Sequence, residues 1–120
     1  MILVDTSVWI DHLRRGEPEL AALLNAGVVL THPLVVEELA CGNLSRRGEM
    51  LDLLRALPRA PLAEHEEVLE FIAMEGLHGT GLGAVDAHLM ASARLARATV
   101  WSKDKALMQA AGKLRLSREV

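Results

Sequence analysis

The sequence predicts an α/β fold, a three-layer α/β/α sandwich around a mainly parallel central sheet. Three observations support this prediction: short apolar runs, amphipathic segments that alternate with them, and turn-forming residues at the junctions. The chain has 120 residues, of which 51% are hydrophobic. A chain of this size has room for one well-filled core, so we expect a single domain over residues 1–120.

Three short apolar runs are the predicted strands. Residues 1–4 stop at a polar triplet that begins with Asp5, as expected of a buried parallel strand that ends at a junction. The other two runs are residues 28–30 and 99–101. The connection between Pro58 and Pro61 has room for one more brief strand.

Seven segments carry apolar residues at helical spacing. They span residues 8–14, 18–26, 33–42, 49–57, 64–75, 84–97 and 104–111. In the second of these, Pro18 suits the first helical position and Gly27 suits the position just after the end. Residues 76–83 contain four glycines, and we expect this segment to be the most mobile part of the chain.

The composition excludes several classes of protein. The net charge is −3, so no overall basic field attracts nucleic acid. Aromatic residues make up 2% of the chain, which argues against modules that stack bases on aromatic side chains. Cys41 is the one cysteine, so an internal disulfide and a cysteine-based zinc site are excluded. We therefore expect the protein to reside in a reducing compartment. We expect Cys41 to pack as a small apolar residue.

Neither a membrane span nor secretion is expected. The longest segment without a charged residue, 20–36, is interrupted by polar and turn-forming residues such as Asn25 and Pro33. Near the start of the chain, Asp5 stands where a signal peptide would need basic residues. We therefore expect a cytoplasmic protein.

Four acidic residues occupy positions that the predicted fold brings to one edge of the sheet. Asp5 ends the first strand and Asp104 follows the third. In a parallel sheet both positions lie at the carboxyl edge, where open α/β folds bind ligands. Asp86, in the first turn of a helix, and Glu38, on the helix after the second strand, can face the same edge.

Carboxylates gathered at one edge repel one another. Two of them about 5 Å apart, at an effective dielectric constant of about 20, repel by about 3 kcal/mol. Such a cluster persists when it is protonated or binds a hard cation, and oxygen ligands select Mg²⁺ or Mn²⁺. A purely structural interpretation stays open for Asp104 as a helix cap and for Asp86 in a first helical turn. Asp5, which two hydroxyl residues follow, has no comparable structural purpose.

The four acids lie in four motifs that occur in order along the chain. These are Asp5-Thr6-Ser7-Val8-Trp9-Ile10, Val36-Glu37-Glu38-Leu39-Ala40-Cys41-Gly42, Gly81-Leu82-Gly83-Ala84-Val85-Asp86-Ala87-His88-Leu89-Met90-Ala91-Ser92-Ala93 and Trp101-Ser102-Lys103-Asp104-Lys105-Ala106-Leu107. Together they resemble the motifs of PIN domains, most closely those of VapC-type toxins from prokaryotic toxin–antitoxin pairs. The resemblance covers nearly the whole chain. It departs from the family pattern at Leu107, where an aromatic residue is usual.

The resemblance implies a PIN-like fold and a metal-dependent ribonuclease that hydrolyses RNA phosphodiester bonds. It implies that Mg²⁺ or Mn²⁺ is held by Asp5, Glu38, Asp86 and Asp104. It also implies supporting hydrogen bonds from Thr6 or Ser7, and from Ser102. Neighbouring residues on a helix point about 100° apart, so only one of Glu37 and Glu38 can face the site, and the family spacing selects Glu38.

The resemblance further implies an RNA substrate, a homodimer and a cognate antitoxin that wraps the toxin and obstructs its site. The leucine-rich helices 18–26 and 49–57 are the expected apolar groove for the antitoxin. The same faces could instead belong to the core of the domain itself.

Three other functions compete with this interpretation. A PIN-like domain that acts as a non-catalytic protein- or RNA-binding module would have lost one or more of the acids, and all four are present. A receiver-type signalling domain needs an acidic pair after the first strand, but Asp5 stands alone, and it needs an aspartate after a middle strand, but residues 28–31 end without an acid. A phosphatase of the haloacid dehalogenase type needs a second aspartate where Ser7 stands.

Overall fold

The computed structural model describes residues 1–118, and its centre is a parallel sheet of three strands. The strands are β1 (Ile2–Val4), β2 (Val29–Leu30) and β3 (Thr99–Trp101). β1 lies in the middle, with Ile2 opposite Val29 on one side and opposite Thr99 on the other. The strands coincide with the three apolar runs, and the predicted α/β fold with a parallel sheet is confirmed.

Seven helices accompany this sheet within residues 1–118. They are α1 (Thr6–Arg15), α2 (Pro18–Asn25), α3 (Pro33–Ala40), α4 (Arg47–Ala56), α5 (His65–Met74), α6 (Ala84–Ala96) and α7 (Lys105–Lys113). Each coincides with a predicted helix, and the ends differ by no more than two residues. None of the helices in this part of the chain is both long and apolar enough to cross a membrane.

The strand order β2-β1-β3 distributes the helices over two layers. The first crossover leads from β1 to β2 through α1 and α2. The second begins at β2, passes β1 and ends with α6, which leads into β3. Because crossovers between parallel strands are right-handed, these two connections cover opposite faces of the sheet. α6 packs against β1 and β3, and α7 packs against β3. The result is the three-layer sandwich. The direction in which strands are added to the sheet reverses between β1 and β3.

The core covers both faces of the central strand. Leu3 and Val4 are both fully buried, although consecutive residues of a strand point to opposite faces. Only a strand that is covered on both sides buries successive residues in this way. Leu20 of α2 and Leu89 of α6 are buried just as completely. β1 is therefore a rigid base for Asp5, the residue that follows it.

The brief strand expected between Pro58 and Pro61 is reduced to one bridge, in which Arg59 lies beside Thr31. The N–H of Thr31 donates to the carbonyl of Pro58 (2.8 Å), and the N–H of Ala60 donates to the carbonyl of Thr31 (2.9 Å). Proline has no N–H to donate, so the two prolines restrict the pairing to this short stretch.

Cys41 is exposed at the end of α3, so the prediction that it packs in the core is wrong. The glycine-rich segment 76–83 connects α5 to α6 without regular secondary structure. Three of its residues adopt positive φ angles that favour glycine: Gly76, Gly79 and Gly81. The mobility expected of this segment stays a prediction.

Candidate active site

Asp5 lies at the carboxyl end of β1, beside the end of β3. Its N–H donates to the carbonyl oxygen of Trp101 (2.9 Å), so the pairing of the two strands extends as far as Asp5. The Asp5 side chain is 7% exposed. The hydroxyls of Ser7 and Ser102 both donate to its Oδ2, at 2.9 and 2.7 Å. These bonds fix the carboxylate where open α/β sheets bind their ligands.

Ser7 and Ser102 also hold the segment after β3 in place. Ser102 Oγ accepts a hydrogen bond from the N–H of Asp104 (2.9 Å), and Ser7 Oγ accepts one from the N–H of Lys103 (2.9 Å). Each hydroxyl therefore donates to Asp5 and accepts from the loop that carries Asp104. This arrangement couples the positions of the two acids.

Glu38 is placed by α3 beside the start of α1. Thr6 Oγ1 donates to Glu38 Oε1 (2.7 Å), and α1 and α3 pack against each other. The neighbouring Glu37 is exposed, as Glu38 is, but its side chain makes no hydrogen bond or ion pair to any of residues 1–118. The structure thus connects Glu38, and not Glu37, to the end of α1 that follows Asp5.

Asp86 and Asp104 lie at the starts of α6 and α7. The N–H of Gly83 donates to Asp86 Oδ2 (3.2 Å), and the N–H of Leu107 donates to Asp104 Oδ1 (3.1 Å). Both carboxylates therefore stabilise the beginning of a helix, as the structural interpretation of these acids expects. Each of these bonds occupies a single carboxylate oxygen, so the structural role is compatible with a second one.

The charges of the three other acids act on Asp86. Burial raises the pKa of the Asp86 carboxyl, the N–H of Gly83 opposes the rise, and the charges of Asp5, Asp104 and Glu38 add to it. The three other carboxylates are therefore near enough to Asp86 to disfavour its charged form. We call the four residues Asp5, Glu38, Asp86 and Asp104 the acidic rim.

The acidic rim offers oxygen atoms of the kind that hard cations prefer. Counting partners among residues 1–118, each of its four carboxylates has one oxygen that accepts a hydrogen bond and one that accepts none. Among the same residues, no three acidic, histidine or cysteine side chains lie close enough together to share one metal ion. The rim thus suits Mg²⁺ or Mn²⁺ in donor type and in charge, but its side chains in the described part of the chain are not arranged as a closed metal site.

Lys103, between Ser102 and Asp104, connects the end of β3 to α1 and to the start of α2. Its Nζ donates to Asp11 Oδ2 and to Glu17 Oε2, both at 2.7 Å. The hydrogen bond to Asp11, followed by the one to Glu17, raises the pKa of Lys103. No local pattern in the sequence indicates this contact, because the two carboxylates are 92 and 86 positions away.

A groove of about 830 Å³ opens beside Glu38, between α1, α3 and α4. Most of its lining is apolar, with Trp9, Ile10, Leu13, Met50, Leu53 and Leu57 among the lining residues. α4 lines the groove, as expected for the helix at 49–57. α2 contributes Leu24, whereas Leu20 of the same helix is buried in the core. The helix at 18–26 thus contributes to both the groove and the core.

Comparison with known sequences agrees with the motifs. The model of the PIN domain family matches residues 2–113. The chain is 49% identical over 111 residues to Ribonuclease VapC32 of Mycobacterium tuberculosis, both in strain H37Rv and in strain CDC 1551. The matched region covers 92% of this chain and 90% of the relative.

Comparison with solved structures agrees with the fold. FitAcB from Neisseria gonorrhoeae superposes with a TM-score of 0.66 at 22% identity, over 93% of this chain and 94% of that one. The structure of FitAB bound to an IR36 DNA fragment gives the same TM-score and identity, over 93% of this chain and 91% of that one. At this level of identity the likeness concerns the fold alone. Together with the family match, these findings show that the chain belongs to the PIN domain family.

Proposed function

We propose that this protein is a ribonuclease that hydrolyses RNA phosphodiester bonds with Mg²⁺ or Mn²⁺ and acts in the cytoplasm as the toxin of a toxin–antitoxin pair. The observation that carries the proposal is the acidic rim, in which Asp5, held by two hydroxyls, acts together with Glu38 and Asp104 on the charge of Asp86. The 49% identity to Ribonuclease VapC32 supports the same activity.

The residues of the rim would hold the cation through their free carboxylate oxygens. When bound, the cation supplies a water of lowered pKa and a positive charge that stabilises the leaving oxygen. Ser7 and Ser102 orient Asp5, while Thr6 orients Glu38, so these carboxylates are held in place before any ligand arrives. Four negative charges would otherwise repel an RNA phosphate, so substrate can approach only a neutralised rim.

The proposal is tested by incubating the purified protein with total cellular RNA and mapping the cut ends. We expect cleavage with Mg²⁺ or Mn²⁺ and none with EDTA. Asp5→Asn keeps the shape of the side chain but removes its charge, and it should abolish cleavage. Glu70→Gln, on the exposed side of α5, is the matched control and should cleave normally. Full activity in EDTA, or equal activity of Asp5→Asn and the wild type, would contradict the proposal.

We further propose that the cognate antitoxin occupies the groove beside Glu38. An amphipathic helix with apolar residues on one side suits a groove of this apolar character. Leu53 lines the groove and is 58% exposed, as expected of a residue that a partner covers. Because Glu38 lies both in the groove and in the acidic rim, a helix bound there would also cover the Glu38 side of the rim.

Coexpression with the antitoxin tests this assignment. Leu53→Glu should leave the RNA cleavage of the purified protein intact but should prevent the antitoxin from relieving growth arrest. Leu62→Glu, at a position that is 57% exposed and outside the groove lining, should remain fully neutralised. Normal neutralisation of Leu53→Glu would contradict the assignment.

As oligomeric state we propose a homodimer. α5 packs against α6, and this pair carries three large apolar side chains that are about half or more exposed: Leu69, Met74 and Leu95. Apolar side chains that are exposed to this extent on one helix pair favour contact with a second copy. The double variant Leu69→Glu/Leu95→Glu should reduce the mass measured by light scattering from two chains to one, and an unchanged mass would contradict this interface.

A further inference from the structure

His32 and Ser92 form a hydrogen bond in the interior of the protein. Both side chains are fully buried, and His32 Nε2 lies 3.0 Å from Ser92 Oγ. The other ring nitrogen, Nδ1, accepts a hydrogen bond from the N–H of Leu34 (3.1 Å) and so caps the start of α3. Because Nδ1 is an acceptor, the neutral ring carries its proton on Nε2 and donates it to Ser92.

The ring of His32 is neutral under physiological conditions. Burial lowers its pKa to about 4, and the nearby His88 adds to this effect. The direction of the bond to Ser92 is therefore fixed by the cap at Leu34 and does not change near pH 7.

This bond joins α6 to the start of α3, and these two helices carry Asp86 and Glu38. Asp5 and Asp104 follow strands directly, whereas Glu38 and Asp86 belong to α3 and α6. His32 lies six positions before Glu38, and Ser92 lies six positions after Asp86. Among the hydrogen bonds within residues 1–118, it alone connects segment 32–40 to α6.

We propose that the His32–Ser92 hydrogen bond is a positioning device that sets the separation of Glu38 and Asp86 and thereby the affinity of the acidic rim for a divalent cation. This role rests on the proposed metal-dependent function. A pair of apolar residues would fill the same space, but apolar contacts are non-directional and leave two helices free to slide. A hydrogen bond holds one donor at one acceptor, and a buried polar pair loses free energy when either partner is removed.

Helix capping alone does not explain a histidine here. Asparagine, aspartate, serine and threonine are the preferred capping residues, and each is too short to reach a neighbouring helix while it caps its own. The imidazole of His32 does both, with one nitrogen for Leu34 and the other for Ser92.

Two amide variants separate these two functions. In His32→Asn the side-chain oxygen takes the place of Nδ1 and keeps the cap, but nothing reaches Ser92. In His32→Gln the side-chain nitrogen takes the place of Nε2 and can still reach Ser92, while the cap is lost. Both variants lose the ring, so a merely structural role predicts similar effects of the two.

The measurement is the dissociation constant for Mn²⁺, determined by calorimetry without RNA on folded protein. We expect His32→Asn to weaken Mn²⁺ binding by about 10-fold or more, within the range for residues that orient metal ligands, and His32→Gln to stay within about threefold of the wild type. Ser92→Ala, the milder change, should weaken binding as His32→Asn does. The double variant His32→Asn/Ser92→Ala should bind Mn²⁺ no more weakly than either single variant, because all three lack the same hydrogen bond.

Normal Mn²⁺ affinity in both His32→Asn and Ser92→Ala would overturn the positioning role, as would equal weakening by the two amides. RNA cleavage by the wild type, measured in parallel, separates this failure from that of the proposed function. A wild-type protein that neither binds Mn²⁺ nor cleaves RNA would refute the metal-dependent site itself and this role with it.

Discussion

The hydroxyl of Ser102 donates a 2.7 Å hydrogen bond to Oδ2 of Asp5, although the two residues are 97 positions apart. The same hydroxyl accepts the N–H of Asp104. One buried serine thus connects the acid after β1 to the acid after β3. The sheet brings these residues close together, and the serine fixes their orientation.

Replacing Ser102 should affect stability and catalysis together. Ser102→Ala leaves the N–H of Asp104 without its acceptor and Asp5 with Ser7 as the remaining hydroxyl donor. Unfolding in denaturant should show a loss of about 1 to 3 kcal/mol. RNA cleavage should fall about 10- to 100-fold, while Ser102→Thr, which keeps the hydroxyl, should retain most of it. Wild-type cleavage by folded Ser102→Ala would contradict this role.

Glu37 and Glu38 form a natural matched pair. Glu38→Gln should lose nearly all cleavage, since its carboxylate belongs to the acidic rim and bonds to Thr6. Glu37→Gln changes an exposed neighbour on the same helix and should keep most of the activity. Cleavage rates under saturating Mg²⁺ distinguish the two variants. The reverse result would show that Glu37, and not Glu38, is the acid of α3 that serves the site.

Removing the charge of Asp86 should stabilise the metal-free protein. Burial and the three other acids raise the pKa of Asp86, so at pH 7 its charged form opposes folding. Solvent screening keeps the effect small, and we expect Asp86→Asn to raise the melting temperature in EDTA by about 2 to 5 °C. Added Mn²⁺ should raise the melting temperature of the wild type more than that of the variant.

Glu67 provides the control for this experiment. It occupies the same position in the first turn of α5, and its carboxylate likewise accepts the N–H of the capping residue, Glu64. Glu67→Gln should leave the melting temperature in EDTA unchanged or slightly lower, because Glu67 lies outside the acidic rim. Equal shifts of the melting temperature in Asp86→Asn and Glu67→Gln would show that repulsion among the carboxylates of the rim does not destabilise the metal-free protein.

The buried His32 should make the protein less stable in mild acid. Its pKa is about 4 in the folded protein, against 6.5 for an exposed histidine, so the unfolded chain binds the proton more readily. Stability from this residue is complete above about pH 6.5 and is lost as the pH falls towards 4, by about 2 to 3 kcal/mol in all. The His32→Asn variant should lose this part of the pH dependence when urea unfolding is compared from pH 7 to pH 4. Parallel curves for the two proteins would contradict it.

From the sequence the candidate residues of the site can be named, but their contacts cannot. Asp5 is visible because a buried apolar run stops at it, and Asp104 because it follows another such run. Glu38 could be preferred to Glu37 only through the family spacing, since the helical pattern allows either acid. In the structure, the bond to Thr6 distinguishes Glu38 from its neighbour.

The contacts that connect the site depend on how distant segments pack, and no local pattern reports that. Ser92 is 60 positions from His32, and nothing around either residue indicates the other. The start of α1 also depends on a contact with a distant segment. Its apolar pattern begins at Val8, but the helix begins at Thr6, because the extended Asp5 still pairs with β3.

The central strand of the sheet pairs with a strand from far along the chain, and this determines when the acidic rim can form during synthesis. Asp5 is synthesised 97 residues before Ser102, and Asp104 follows Ser102. A ribosome adds about 5 to 20 residues per second, so roughly 5 to 20 s separate Asp5 from Ser102. During that time the growing chain contains no complete acidic rim. A ribonuclease built in this way cannot complete its acidic rim before Asp104 has been added to the growing chain.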